Sequence, residues 1–216
     1  MGIKDGLLGR PAPAAPELDR LFALPAAAPA LAAETGFAPA GSGGVCHRMV
    51  EGGAFGGFAR AQREAVRLLG GGEGHEVGMS AGPYGWGWAR VTGPPDGLER
   101  LVGDLHTFTA TLDAAGYGPY LLCTAVCFHR GDGPQRLFIV HSPVRGTFYP
   151  FAPRPPDVPG ENRRNNLVEA HARDALAAEL PMEPDTARWF PPLGRARPLS
   201  GEPYGRASIW SRATRA

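Results

Sequence analysis

The stretch from Tyr120 to Pro153, YLLCTAVCFHRGDGPQRLFIVHSPVRGTFYPFAP, constrains the fold more than any other part of the chain. Two apolar, β-branched and aromatic runs, Leu121 to Phe128 and Arg136 to His141, flank His129-Arg130-Gly131-Asp132-Gly133-Pro134. Asp-Gly followed by Gly-Pro is turn chemistry, so the whole predicts a β-hairpin. The first run is almost continuously apolar rather than alternating. A strand of that kind needs cover on both faces, which places it in the middle of a sheet. The third piece, Val144 to Pro153, begins extended and ends in prolines, which cannot donate ladder hydrogen bonds, so it belongs at the rim.

The rest of the chain supplies partners for this sheet. Val45 to Val50, His75 to Met79 and Tyr84 to Val91 read as further strands, with Gly41-Ser42-Gly43-Gly44 as a turn before the first of them. Phe55 to Leu69 carries Phe58, Gln62, Ala65, Val66 and Leu69 at helical spacing, with Arg60, Arg63, Glu64 and Arg67 outside. Gly97 to Ala115 has the clearest stripe, Leu98, Leu101, Val102, Leu105, Phe108 and Leu112, with Asp96 as its expected N-cap and Gly116 closing it. Asn162 to Leu180 is a third helix, and Glu17 to Leu24 and Pro29 to Thr35 are two short helical pieces.

The expectation is an α+β fold: a single domain over residues 17–193, with a mostly antiparallel sheet of about five strands packed by three main helices. Residues 1–16 form an N-terminal segment with a Pro/Ala linker, and 194–216 a basic, disordered tail. The 31 glycines and 23 prolines are expected to gather in loops and ends, since 43% hydrophobic content is enough for a folded centre.

Charge and cysteine content exclude several classes of function. With 22 basic against 21 acidic residues, the chain has no overall field to draw in nucleic acid, so no nucleic-acid partner is expected. Cys123 and Cys127 lie four apart on one strand, about 13 Å at 3.3 Å per residue and beyond disulfide reach. They are expected to be core thiols, and the odd count of 3 cysteines without a signal peptide points to the reducing cytoplasm.

Cys46 and His47 are neighbours on a strand and must face opposite ways, so they are no catalytic pair. The 6 histidines lack the spacing that puts two ligands on one face, and no metal site or cofactor is expected. Nothing in the pattern sets an oligomeric state. Ile3, Leu7 and Leu8, flanked by Lys4 and Arg10, leave two readings for residues 1–10: a turn docked on the core, or a peripheral contact with the inner face of a membrane.

No assembled catalytic set is legible. The best local candidate is a binding surface on the rim piece, made of Arg145, Thr147, Phe148, Tyr149 and Phe151. One charged donor and three rings on a strand edge suit a partner's strand or an apolar segment. The competing reading is a hydrolase or transferase with a cleft walled by Arg90, Arg145, His141 and Trp88.

The segments GLLGRP, LDRLFALPAAAPALAAETGFAPAG before VCHRMVEG, LVGDLHTFTATLDAAGYGPYLLCTAVCF, RGTFYPFAP and LPMEPDTARWFP together resemble PspAB, a PspA-associated accessory family of the phage-shock envelope-stress system. The likeness covers roughly residues 1–193, and RGTFYPFAP and DTARWFP are its most specific pieces. It implies a cytoplasmic protein acting through protein contacts beside a PspA-type coiled-coil protein or other envelope-stress components, with no catalytic residues to carry over.

Overall fold

The computed structural model describes residues 15–50, 56–69, 75–81, 85–154 and 164–191. Six strands make one antiparallel sheet in the order β2-β3-β1-β4-β5-β6. They are β1 Ala38–Arg48, β2 Glu76–Ala81, β3 Trp86–Thr92, β4 Leu121–His129, β5 Arg136–Ser142 and β6 Thr147–Phe151. Among the described residues four α-helices accompany them: α1 Leu24–Thr35, α2 Gly57–Leu69, α3 Leu98–Leu112 and α4 Asn166–Leu176.

The hairpin forms as its sequence requires. β4 pairs with β5 from Thr124 opposite His141 to His129 opposite Arg136. On its other side it pairs with β1, which makes it an interior strand. Its near-continuous apolar run follows from that position. Val126 and Phe128 face the helices with Val45, Leu105, Phe108 and Ile139, while Cys123, Ala125 and Cys127 face the second layer with Cys46, Trp88, Phe138 and Val140. Alternation along β1 likewise sends Cys46 and His47 to opposite faces. All three thiols are buried. Hydrogen bonding to Cys46, and then burial, hold the Cys123 thiol well above its usual range, and burial pushes Cys127 up to about 12. Both stay protonated and inert.

Three expectations are corrected. The sheet has six strands rather than about five, because the rim piece contributes a full strand, β6, paired with β5 from Phe138 opposite Phe151 to Ser142 opposite Thr147. A fourth helix appears because the segment around Pro29 runs unbroken as α1. Pro25 stands in its first turn, where no amide donor is needed, and Gly36 ends it at φ 72°.

The third correction is Gly41-Ser42-Gly43-Gly44, which is no turn but the buried middle of β1. A Cβ on Gly43 would lie 2.7 Å from Leu105 Cδ1, and one on Gly44 3.2 Å from the Trp88 ring. The glycines therefore admit α3 on one face and an indole on the other. Gly41, at φ 64°, takes up the irregularity in the β1–β4 register between Pro39 and Ser42.

Helix ends also differ slightly from the sequence reading. Gly97, not Asp96, is the N-cap of α3, with no side-chain cap, whereas Asn165 caps α4 by accepting the Val168 amide. The apolar segment at residues 1–10 and the tail beyond residue 191 lie outside the described residues.

Candidate interaction surfaces

The rim strand β6 is not an open edge. The chain returns after α4, and Pro181 to Glu183 runs parallel to β6: the Phe148 amide donates to the Pro181 carbonyl at 2.9 Å, and the Glu183 amide to the Phe148 carbonyl at 2.8 Å. Trp189 then folds over the second face of the sheet, stacked on Tyr149 with centroids 6.2 Å apart and planes 17° from parallel. Its indole N–H donates to the Glu183 carbonyl at 3.0 Å, and the Tyr149 hydroxyl to the Phe190 carbonyl at 3.1 Å. RGTFYPFAP and DTARWFP, far apart in the chain, thus lock into one clasp.

Two buried carboxylates hold the clasp. Glu183 accepts from the Thr147 hydroxyl at 3.2 Å and the Asp185 amide at 3.2 Å, and draws Arg145 and Arg188 to 3.7 and 3.8 Å. Glu169, on α4, accepts from the Ala152 amide at 2.9 Å and from Arg164 Nε at 3.0 Å. Arg164 donates onward to the Trp189 carbonyl at 2.6 Å, and its guanidinium lies 5.4 Å from the centre of the Phe151 ring. A buried acid needs such a set of donors, because an unpaired charge away from water is costly. Nothing in the sequence marks Glu169 and Glu183 as buried, since their donors come from distant segments.

The five residues expected to form the binding surface therefore divide. Phe148 is buried in the helix layer and holds the returning chain through its backbone, while Tyr149 and Phe151 are buried on the second face with Trp189; Thr147 is half-buried beneath Glu183. Arg145 reaches solvent, its side chain 41% exposed. Arg188 is half exposed, meeting Glu183 at 3.8 Å and the exposed Asp185 at 3.1 Å, and Val144 and Phe190, close in sequence to the two arginines, are exposed as well. Trp189 anchors the returning chain as its size suggests, but Phe190 points outward, 64% exposed.

The alternative cleft does not assemble. Trp88, on β3, lies in the second layer, whereas His141, on β5, packs in the helix layer against Phe148 at 4.8 Å between centroids. β1 and β4 separate the two strands, so Trp88 and Arg90 stand about 14 Å from β5 at the usual strand spacing. Burial lowers His141 to about 4, with hydrogen bonding to the Glu17 backbone opposing it, so the ring is neutral at pH 7.

A second surface, not expected from the sequence, lies at the other end of the sheet. Between α2 and β2 runs an open groove of about 400 Å³, lined by Met49, Gln62, Arg63, Val66 and Met79 among others. His47 closes its floor. Gln62 Nε2 donates to His47 Nε2 at 3.2 Å, which leaves the histidine proton on Nδ1, toward the Arg48 carbonyl. Burial lowers the His47 pKa, so this ring is neutral as well. Gly87 makes the floor possible, since a Cβ there would meet His47 at 2.5 Å and Met49 at 2.7 Å. At the start of β2, His75 is pinned to Asp104 of α3, which ties this edge strand to the body.

A family model described as PspA associated protein B matches residues 1–198. The chain belongs to the PspA associated protein B family. The match extends past both halves of the clasp, so the clasp lies wholly within what this member shares with the PspA associated protein B model. No curated protein and no solved structure matches the chain. No helix among the described residues is long and apolar enough to cross a membrane.

Proposed function

We propose that this member of the PspA associated protein B family is a non-enzymatic adaptor of the envelope-stress response, working in the cytoplasm at the inner face of the membrane. Its contact with a PspA-type coiled-coil protein runs through the outer surface of the clasp. The observation that carries this reading is the convergence of Arg145 and Arg188 on one buried carboxylate, with Val144 and Phe190 exposed close to them in sequence. Glu183 has only four per cent of its side chain exposed and holds both guanidiniums loosely; Arg188 also meets Asp185 at the surface at 3.1 Å, while Arg145, 41% exposed, has no such second acid. Arg145, with Arg188 shared between Glu183 and Asp185 and with apolar side chains exposed nearby in sequence, fits the acidic and apolar stripes that coiled-coil surfaces display.

The test is recovery of the PspA-type protein on the immobilised full chain. Arg145→Gln with Arg188→Gln is expected to abolish recovery while leaving the circular dichroism spectrum intact, because each glutamine removes the charge but keeps an amide donor for Glu183. Recovery equal to wild type removes the proposed surface. Tyr149→Ala would not serve as the test, since Tyr149 is buried against Trp189 and its loss would open the clasp.

A further inference from the structure

β2 is the one terminal strand of the sheet whose outer side has no partner among the described residues. Every second residue of Glu76–Ala81 turns its amide and carbonyl away from β3, and such a row of unpaired groups templates another strand. The groove against α2 lies on the helix side of this edge. Met79 sits there, paired with Ala89 and 45% exposed, with Val66 and Met49 behind it.

We propose that this edge and groove take an extended segment of a partner protein as a further strand, apolar at alternate positions and acidic between or beside them. The alternation follows from the geometry: residues of an added strand that face the helix layer drop onto Met79, Val66 and Met49, while the intervening ones face outward. The acidic preference follows from α2. Arg67 is neutralised by Glu64 through two hydrogen bonds of 2.9 and 2.7 Å, but Arg60 and Arg63 have no ion pair among the described residues, and Arg63 forms part of the groove wall.

The same charge argues against two other occupants. The chain's own tail after Gly194 carries Arg195, Arg197, Arg206, Arg212 and Arg215 against Glu202 alone, the wrong sign for this wall. A second copy pairing β2 with β2 would bring two α2 helices, each with Arg60 and Arg63, to one seam.

The probe is a fluorescein-labelled peptide of about nine residues, Leu and Val alternating with Glu, set against a twin with Lys for Glu, and titrated with the full chain by anisotropy. Wild type is expected to bind the Glu peptide saturably and prefer it to the Lys peptide by about tenfold. Arg63→Glu should reverse that preference, and Met79→Asp should abolish binding of both. Methylating one alternate set of peptide amides should abolish binding while the other set is tolerated, because only one set faces β2.

No saturable binding, equal tolerance of both methylated sets, or binding unchanged in Met79→Asp overturns the proposal. So does a concentration-dependent dimer that Met79→Asp dissolves, which would make the occupant a second copy. The Arg145→Gln, Arg188→Gln variant should bind the Glu peptide as wild type does. Failure of the clasp contact and failure of this groove are therefore read separately.

Discussion

The two ends of the sheet are finished in opposite ways. At β6 the chain covers its own edge: a parallel segment supplies backbone partners, Trp189 seals one face, and two buried carboxylates collect three arginines. At β2 no described segment does this, and the strand beyond β3 is short and largely exposed, with a groove where the other end has a clasp. An open edge strand is a liability, so cover at one end and none among the described residues at the other is itself informative. Cover at β6 costs ordering of a long return segment, and the stability there depends on charges placed away from water. Openness at β2 costs little stability and leaves hydrogen-bonding groups for something else to use.

The largest effect should come from breaking the closed end at its buried acid. Glu169→Ala removes the acceptor for Ala152 N–H and Arg164 together and strands a guanidinium whose side chain is only 19% exposed. The expected loss is about 3–5 kcal/mol, measured by urea denaturation. A loss below about 1 kcal/mol would mean that the Arg164 charge finds water and that the clasp is only loosely closed.

Trp189→Ala comes next, at about 3 kcal/mol for truncating a buried indole. Its more telling readout is hydrogen exchange. The Phe148 and Glu183 amides, which cross the clasp, should lose protection, while Val126 and Ala125 in the interior strand keep theirs. That variant converts the closed edge into a second open one. Uniform loss across all four amides would show instead that the clasp and the sheet unfold as one unit.

Much of this contrast was hidden from the sequence for identifiable reasons. The hairpin was legible because its periodicity and turn residues agree, and β6 because prolines exclude an interior position. The glycines of β1 misled because a run of glycines reads as a turn unless one knows that Leu105 and the Trp88 ring must come within contact of them. At the candidate site, Arg145 was legible as the one charged donor of the rim piece. The burial of Phe148, Tyr149 and Phe151 was not seen, because it depends on Pro181 to Phe190 returning across β6. A signal was available in Trp189, since a large ring near the end of a fold ordinarily finds a place on it, although Phe190 beside it does not. The β2 groove had no signal: Met49, Val66 and Met79 come from three elements, and none is unusual alone.

Acid should also act at the closed end. His141 takes a proton at about 4 when folded and at 6.5 when unfolded. Between those values the unfolded chain binds the proton and the native one does not, so stability falls as the pH is lowered from 6.5 to 4, by about 3 kcal/mol in all. The groups that face the ring are the Glu17 backbone and carboxylate, Arg20 and His106, the first two raising and the last two lowering its proton affinity. His141→Phe should flatten that part of the pH–stability curve, measured by urea midpoints at closely spaced pH. A slope of the same size in the variant would assign the acid sensitivity to other groups, His47 under α2 among them, since burial lowers its pKa in the same sense.

The smallest expected effect is the sharpest comparison of the two ends. Met79→Ser on β2 and Phe148→Ser on β6 each replace an apolar side chain on an outermost strand of the same sheet. Phe148 is fully buried in the helix layer against His141, so its loss should cost several kcal/mol through the cavity and the polar group placed in it. Met79 keeps 45% of its surface in water and borders an open groove, so the change there should stay within about 0.5 kcal/mol in the urea midpoint. A cost at Met79 approaching that at Phe148 would mean that part of the chain already fills the groove. The β2 end would then be closed too, and the asymmetry on which strand addition depends would vanish.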